Sequence, residues 1–119
     1  MTTSKQTQDL TMQFQQLQQQ LHSIMMQNEQ ANIQVMEIDK ALSELKNSDD
    51  EVYKISGTIL IKSTKDKVSK QMAEEKESLE IRVKTLQKHE ATLKDKLKKV
   101  QEELMKVYGK QQENKADAE

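Results

Sequence analysis

The stretch EVYKISGTILIK, Glu51 to Lys62, differs in kind from everything around it. It is rich in β-branched residues, holds Gly57, and lies between long segments of glutamine, lysine and glutamate that read as helix. Val52 to Ile55 and Thr58 to Ile61 read as two strands about a Ser56-Gly57 turn, because glycine takes the positive φ of a tight hairpin without steric cost. Alternation places Val52, Ile59 and Ile61 on one face and Tyr53, Ile55 and Leu60 on the other. Both faces are therefore apolar, and a two-stranded hairpin alone is marginal in water. The hairpin needs something to pair with.

Working outward, the segments on either side carry a heptad pattern. From Leu10, alternate steps of four and three give Leu10, Phe14, Leu17, Leu21, Ile24, Asn28, Ala31, Val35, Ile38, Leu42 and Leu45, ten of the eleven being apolar. A stripe of this period stays against a partner helix only if the two supercoil. The second segment repeats it through Met72, Lys76, Leu79, Val83, Leu86, Glu90, Leu93, Leu97, Val100, Leu104 and Val107. Ser63 or Thr64 is placed to cap the second helix, with Asp66 in its first turn, and Gly109 to close it. Glu80–Lys84, Glu90–Lys94, Asp95–Lys99 and Glu102–Lys106 add favourable spacings four residues apart, outside the seam apart from Glu90. Lys46-Asn47-Ser48-Asp49-Asp50 is turn-forming and ends the first helix.

These readings predict an all-α chain with one small β-hairpin, its two helices folded into a long antiparallel coiled coil. The expected boundaries are a helix over 10–47, the hairpin over 52–62 and a helix over 64–108 within a unit spanning 10–110, with flexible tails at 1–9 and 111–119. The antiparallel register pairs Leu45 with Met72 and Leu10 with Val107, and brings Asn28 near Glu90 in a polar seam layer that fixes register.

Composition sets the limits. Only 34% of the 119 residues are hydrophobic and 3% aromatic, too few for a compact core, while the absence of proline suits long helices. A net charge of -1 provides no general attraction for nucleic acid or anionic membrane, and the KDKLKK run at Lys94–Lys99 is diluted by acidic neighbours and lacks interleaved aromatics. Without cysteine there are no disulfides or thiolate metal sites. His22 and His89 flank seam positions on different helices with no carboxylate or histidine at ligand spacing beside His22, Asp49-Asp50-Glu51 lacks the alternating ligands and glycine of a calcium loop, and no nucleophile, base and orienting group converge. The expectation is no enzyme, no metal and no cofactor. The eleven glutamines of the first 34 residues fall between seam positions and read as a solvated helix face. The N-terminal MTTSKQTQDL lacks a signal peptide's apolar core and no apolar run exceeds three residues, so the expected compartment is the cytoplasm.

QFQQLQQQ at Gln13–Gln20, KALSEL at Lys40–Leu45, the EVYKISGTILIK hairpin, and Lys65-Asp66 opening the second helix together resemble the prefoldin family, in particular its archaeal beta-type subunits. The resemblance runs from about Leu10 to Val107. It implies that the hairpin, through Val52, Tyr53, Ile55, Gly57, Ile59, Leu60 and Ile61, joins those of other subunits, two alpha and four beta in all, in a double β-barrel platform. It also implies ATP-independent capture of unfolded polypeptides at the coil tips and their transfer to a group II chaperonin. The tip residues are then Leu10, Met12, Phe14, Leu17, Leu21, Met25 and Met26 on the first helix and Leu104, Met105, Val107 and Tyr108 on the second. Methionine is unbranched and polarizable, so such a surface repacks around clients of many shapes. Of the tip residues, the seam members also have a place inside the closed coil, whereas Met12, Met25, Met26 and Met105 lie off the seam. The other reading is a structural coiled-coil scaffold that spaces partners without binding clients.

Overall fold

The computed structural model describes residues 2–118, with side chains over 5–109. The order of elements is α1 (Thr2–Lys46), β1 (Glu51–Ser56), β2 (Ile59–Thr64) and α2 (Lys65–Ala118). Contacts divide the chain into two units: residues 27–86, which hold the hairpin and the adjoining helix segments, and the terminal segments up to Met26 and from Gln87 onward.

The heptad positions are the ones withdrawn from solvent. In the hairpin-bearing unit Ala31, Ile38 and Leu86 are buried, and Asn28, Val35, Leu42, Leu45, Met72, Lys76, Leu79 and Val83 are half-buried. In the terminal unit Leu10, Leu93 and Val107 are buried, with Phe14, Leu17, Leu21, Ile24, Glu90, Leu97, Val100 and Leu104 half-buried. Almost every residue between them is exposed, so each unit owes its cohesion to a narrow apolar stripe.

Both helices outrun the expected bounds. α1 begins at Thr2 and not at residue 10, and Thr7, one step before Leu10 in the seam, is half-buried. α2 passes through Gly109 to Ala118, so Gly109 is not a cap. A cap of that kind needs a left-handed residue, and Gly57 alone among the described residues has a positive φ. Inside the helix Gly109 costs only about 1 kcal/mol relative to alanine.

The joint between helices and hairpin rests on Lys65. Its backbone N–H donates to Asp50 O at 3.1 Å, and its Nζ donates to Lys46 O at 2.8 Å and Ser48 O at 3.3 Å. The ammonium therefore sits on the carbonyl end of α1, where the helix leaves its last acceptors unsatisfied and its dipole favours a cation. Ser48 Oγ donates to Leu45 O at 2.8 Å and completes that terminus. Of the two candidate caps for α2, Thr64 is the one used: its Oγ1 accepts the N–H of Lys67 at 3.3 Å.

Polar seam residues differ in how they are satisfied. Lys76 lies between Asp39, on α1, and Glu80, 3.8 Å away on its own helix. The hydrogen bond to Asp39 chiefly, together with the charges of both carboxylates, holds the Lys76 ammonium above the ordinary lysine range despite some desolvation. The side-chain oxygen of Asn28 is buried with no hydrogen-bond partner. Glu90 pairs along its own helix with Lys94 at 3.0 Å, as Asp95 does with Lys99 at 3.3 Å.

Candidate functional site

Glu51 pairs with Thr64, Val52 with Ser63, Tyr53 with Lys62, Lys54 with Ile61, Ile55 with Leu60 and Ser56 with Ile59. The two-residue loop is Gly57-Thr58, one residue later than the Ser56-Gly57 turn expected. Gly57, at φ +62°, occupies the first loop position, the place of glycine in a type II′ turn, whose twist matches that of the strands. A one-residue move of the loop shifts every cross-strand partner by two, so the parity of the faces survives. Val52, Ile59 and Ile61 share one face, and Tyr53, Ile55 and Leu60 the other.

Neither face is covered. Val52 is half-buried at the base, but Tyr53, Ile55, Ile59, Leu60 and Ile61 are all exposed, Ile55 to 73%. Among the described residues the sheet has only these two strands, leaving both outer edges with unpaired backbone groups. Polar contacts gather toward the base, where Lys62 pairs with Glu51 and Lys54 Nζ donates to Gln71 Oε1 of α2 at 3.3 Å. The outer part of the hairpin is left as an apolar surface with open edges.

The residues expected to capture clients fall into two groups in the terminal unit. Leu10 and Val107 are buried in the seam, and Phe14, Leu17, Leu21 and Leu104 are half-buried there. Met12, Met25, Met26, Met105 and Tyr108 are exposed, from 46% for Met25 to 67% for Met105. Between the helix segments of this unit a shallow groove has Leu17 and Val100 in its lining, with Gln13, Gln16, Gln20, Lys96 and Lys99 around them. Its apolar floor and polar rim are open to solvent and do not enclose a small molecule.

Helix segments with an apolar seam thus flank a hairpin that is apolar on both faces and covered on neither. The sequence profile described as "Prefoldin subunit" matches residues 8–111. The chain belongs to the prefoldin subunit family. Among similar prefoldins, the prefoldin subunit beta of Archaeoglobus fulgidus is 42% identical over 108 residues, covering 89% of this chain and 93% of that protein. The prefoldin subunit beta of Pyrobaculum neutrophilum is 37% identical over 105 residues, 87% of this chain and 83% of that one. The crystal structure of the prefoldin beta subunit from Thermococcus strain KS-1 superposes with a TM-score of 0.78 at 34% identity, covering 86% of this chain and 91% of that chain.

Two features of this prefoldin subunit escaped the sequence reading. Ile33, Met36 and Ile81 of the hairpin-bearing unit are exposed large apolar residues. Their off-seam positions were the available signal, since the heptad leaves no partner for them. Lys65 as a cap on α1 had no local signal, because its acceptors lie 17 and 19 residues away. Among the described residues no group of His, Cys, Asp or Glu is arranged to hold a metal ion, and no helix is long and apolar enough to cross a membrane.

Proposed function

We infer that the chain is a subunit of an ATP-independent holdase, a cytoplasmic hetero-hexamer of two alpha and four beta subunits. In this reading the hairpin joins those of other subunits in a β-barrel platform, and exposed apolar side chains of the terminal unit capture unfolded polypeptides and pass them to a group II chaperonin. The observation that supports it best is the hairpin, whose exposed side chains Tyr53, Ile55, Ile59, Leu60 and Ile61 and two open edges call for neighbouring strands. Off-seam Met12, Met25, Met26 and Met105 support the capture half, being adaptable apolar groups that the coil does not use. Each such surface is small and its contact weak. Several held on one platform act on the same client at raised effective concentration, so capture is tight yet tolerant of sequence.

The test mixes the purified chain with an alpha-type subunit and follows aggregation of an unrelated unfolded protein with and without ATP. The assembly should suppress aggregation equally in both. Changing Met12, Met25 and Met26 together to Gln, a residue of similar helix propensity, should cut suppression severalfold while the complex elutes as before. Assembly without any suppression in the unmodified protein would instead mark a structural scaffold.

A further inference from the structure

Sulfur in this chain is confined to methionine: there are seven methionines and no cysteine. Met12, Met25, Met26 and Met105 of the terminal unit are exposed, as is Met36 of the hairpin-bearing unit, whereas Met72, a seam residue, is half-buried. Access to a thioether governs its oxidation, and the product replaces a flexible apolar group by a polar one. At a seam position that change would weaken helix pairing. At the four positions of the terminal unit, which lie off the seam, it alters mainly the solvent-facing surface.

We propose that Met12, Met25, Met26 and Met105 form a reversible oxidation site through which hydroperoxides switch off client capture without unfolding the chain. The inference rests on the capture role given above to these side chains. In the chemical step the thioether sulfur attacks the O–O bond and takes one oxygen as the sulfoxide. The other oxygen leaves and is protonated to water or an alcohol; sulfur loses two electrons and the peroxide gains them. A thiol-dependent sulfoxide reductase reverses the step, two thiols becoming a disulfide and the oxygen departing as water. With no cysteine in the chain, no thiol of its own competes for the oxidant.

The experiment treats the assembled complex with hydrogen peroxide and follows three readouts: sulfoxide at each methionine by peptide mass spectrometry, helicity by circular dichroism, and suppression of client aggregation. The four methionines of the terminal unit should oxidise before Met72, helicity and assembly should hold, and suppression should fall severalfold and return on treatment with sulfoxide reductases. Replacing all four by leucine removes the sulfur at these positions but keeps apolar side chains; measured against its own untreated state, this variant should lose little suppression on peroxide treatment. An untreated assembly that fails to suppress aggregation overturns the capture reading and this proposal with it. An active assembly whose suppression persists with the four methionines oxidised overturns the oxidation site alone. So does oxidation of Met72 in step with them, or a peroxide loss in the leucine variant equal to that of the unmodified protein.

Discussion

Charging one face of the hairpin should abolish assembly and spare the coil. The perturbation is Ile59→Lys with Ile61→Glu; glutamate is chosen at the second position because Lys54 lies directly opposite Ile61, where a second lysine would repel it. Tyr53, Ile55, Ile59, Leu60 and Ile61 are 48–73% exposed. Since complete burial of such a side chain contributes about 1.5–3 kcal/mol, covering what remains is worth about 1–2 kcal/mol each, or about 5–10 kcal/mol per hairpin. Association costs about 4–15 kcal/mol in lost freedom, so the apolar surface of one hairpin only just offsets it and little can be removed. The double variant forfeits about 2–4 kcal/mol of burial and adds a desolvation cost of several kcal/mol for each charge. A loss of about 5 kcal/mol or more corresponds to over three decades in dissociation constant at about 1.4 kcal/mol per decade. Because both isoleucines already face solvent in the isolated subunit, its own folding should change little. Light scattering after size exclusion with an alpha-type subunit should show no large complex, and circular dichroism should show nearly unchanged helicity. A variant that still assembles fully would refute the role given to this surface.

Other outcomes follow from the polar groups. Asn28→Leu removes a buried oxygen that lacks a partner, an arrangement that costs about 1–3 kcal/mol, and should raise the melting temperature by several degrees; a clear fall would contradict the seam assignment. Lys65→Met keeps the apolar stem but takes the ammonium off the end of α1, and should lower stability by about 0.5–1.5 kcal/mol in urea unfolding, an unchanged midpoint showing that the cap is ornamental. The Asp39 contact raises the Lys76 pKa above 10.5, so its contribution is complete below that pH and is lost as pH rises through the folded value. The urea midpoint of the unmodified chain should therefore fall more steeply above about pH 10.5 than that of Asp39→Asn, and parallel curves would remove the Asp39 contact as the cause.

What the sequence determined by itself was periodicity and its consequences. A 3.5-residue repeat dictates which side chains leave water, because only those positions stay against a partner helix, and the residues from Leu10 to Val107 that it selects are buried or half-buried. Period-two alternation likewise settled the faces of the hairpin, which survived the move of the loop to Gly57-Thr58 because that move preserves parity. Repeats say little about where elements stop, however, since a helix without proline ends only where tertiary contacts or capping end it. Hence α1 extends back to Thr2 and α2 runs on through Gly109. Spacing along the helix already gave the pairs Glu90–Lys94 and Asp95–Lys99, but tertiary structure alone decided the partners that polar groups found far along the chain. Lys65 reaches carbonyls that only the folded joint brings near, Asp39 takes Lys76 across the helix pair, and Asn28 is left with a buried oxygen that nothing satisfies. Lysine and asparagine side chains have many local options of similar energy, so their choice waits until packing has placed the backbone around them.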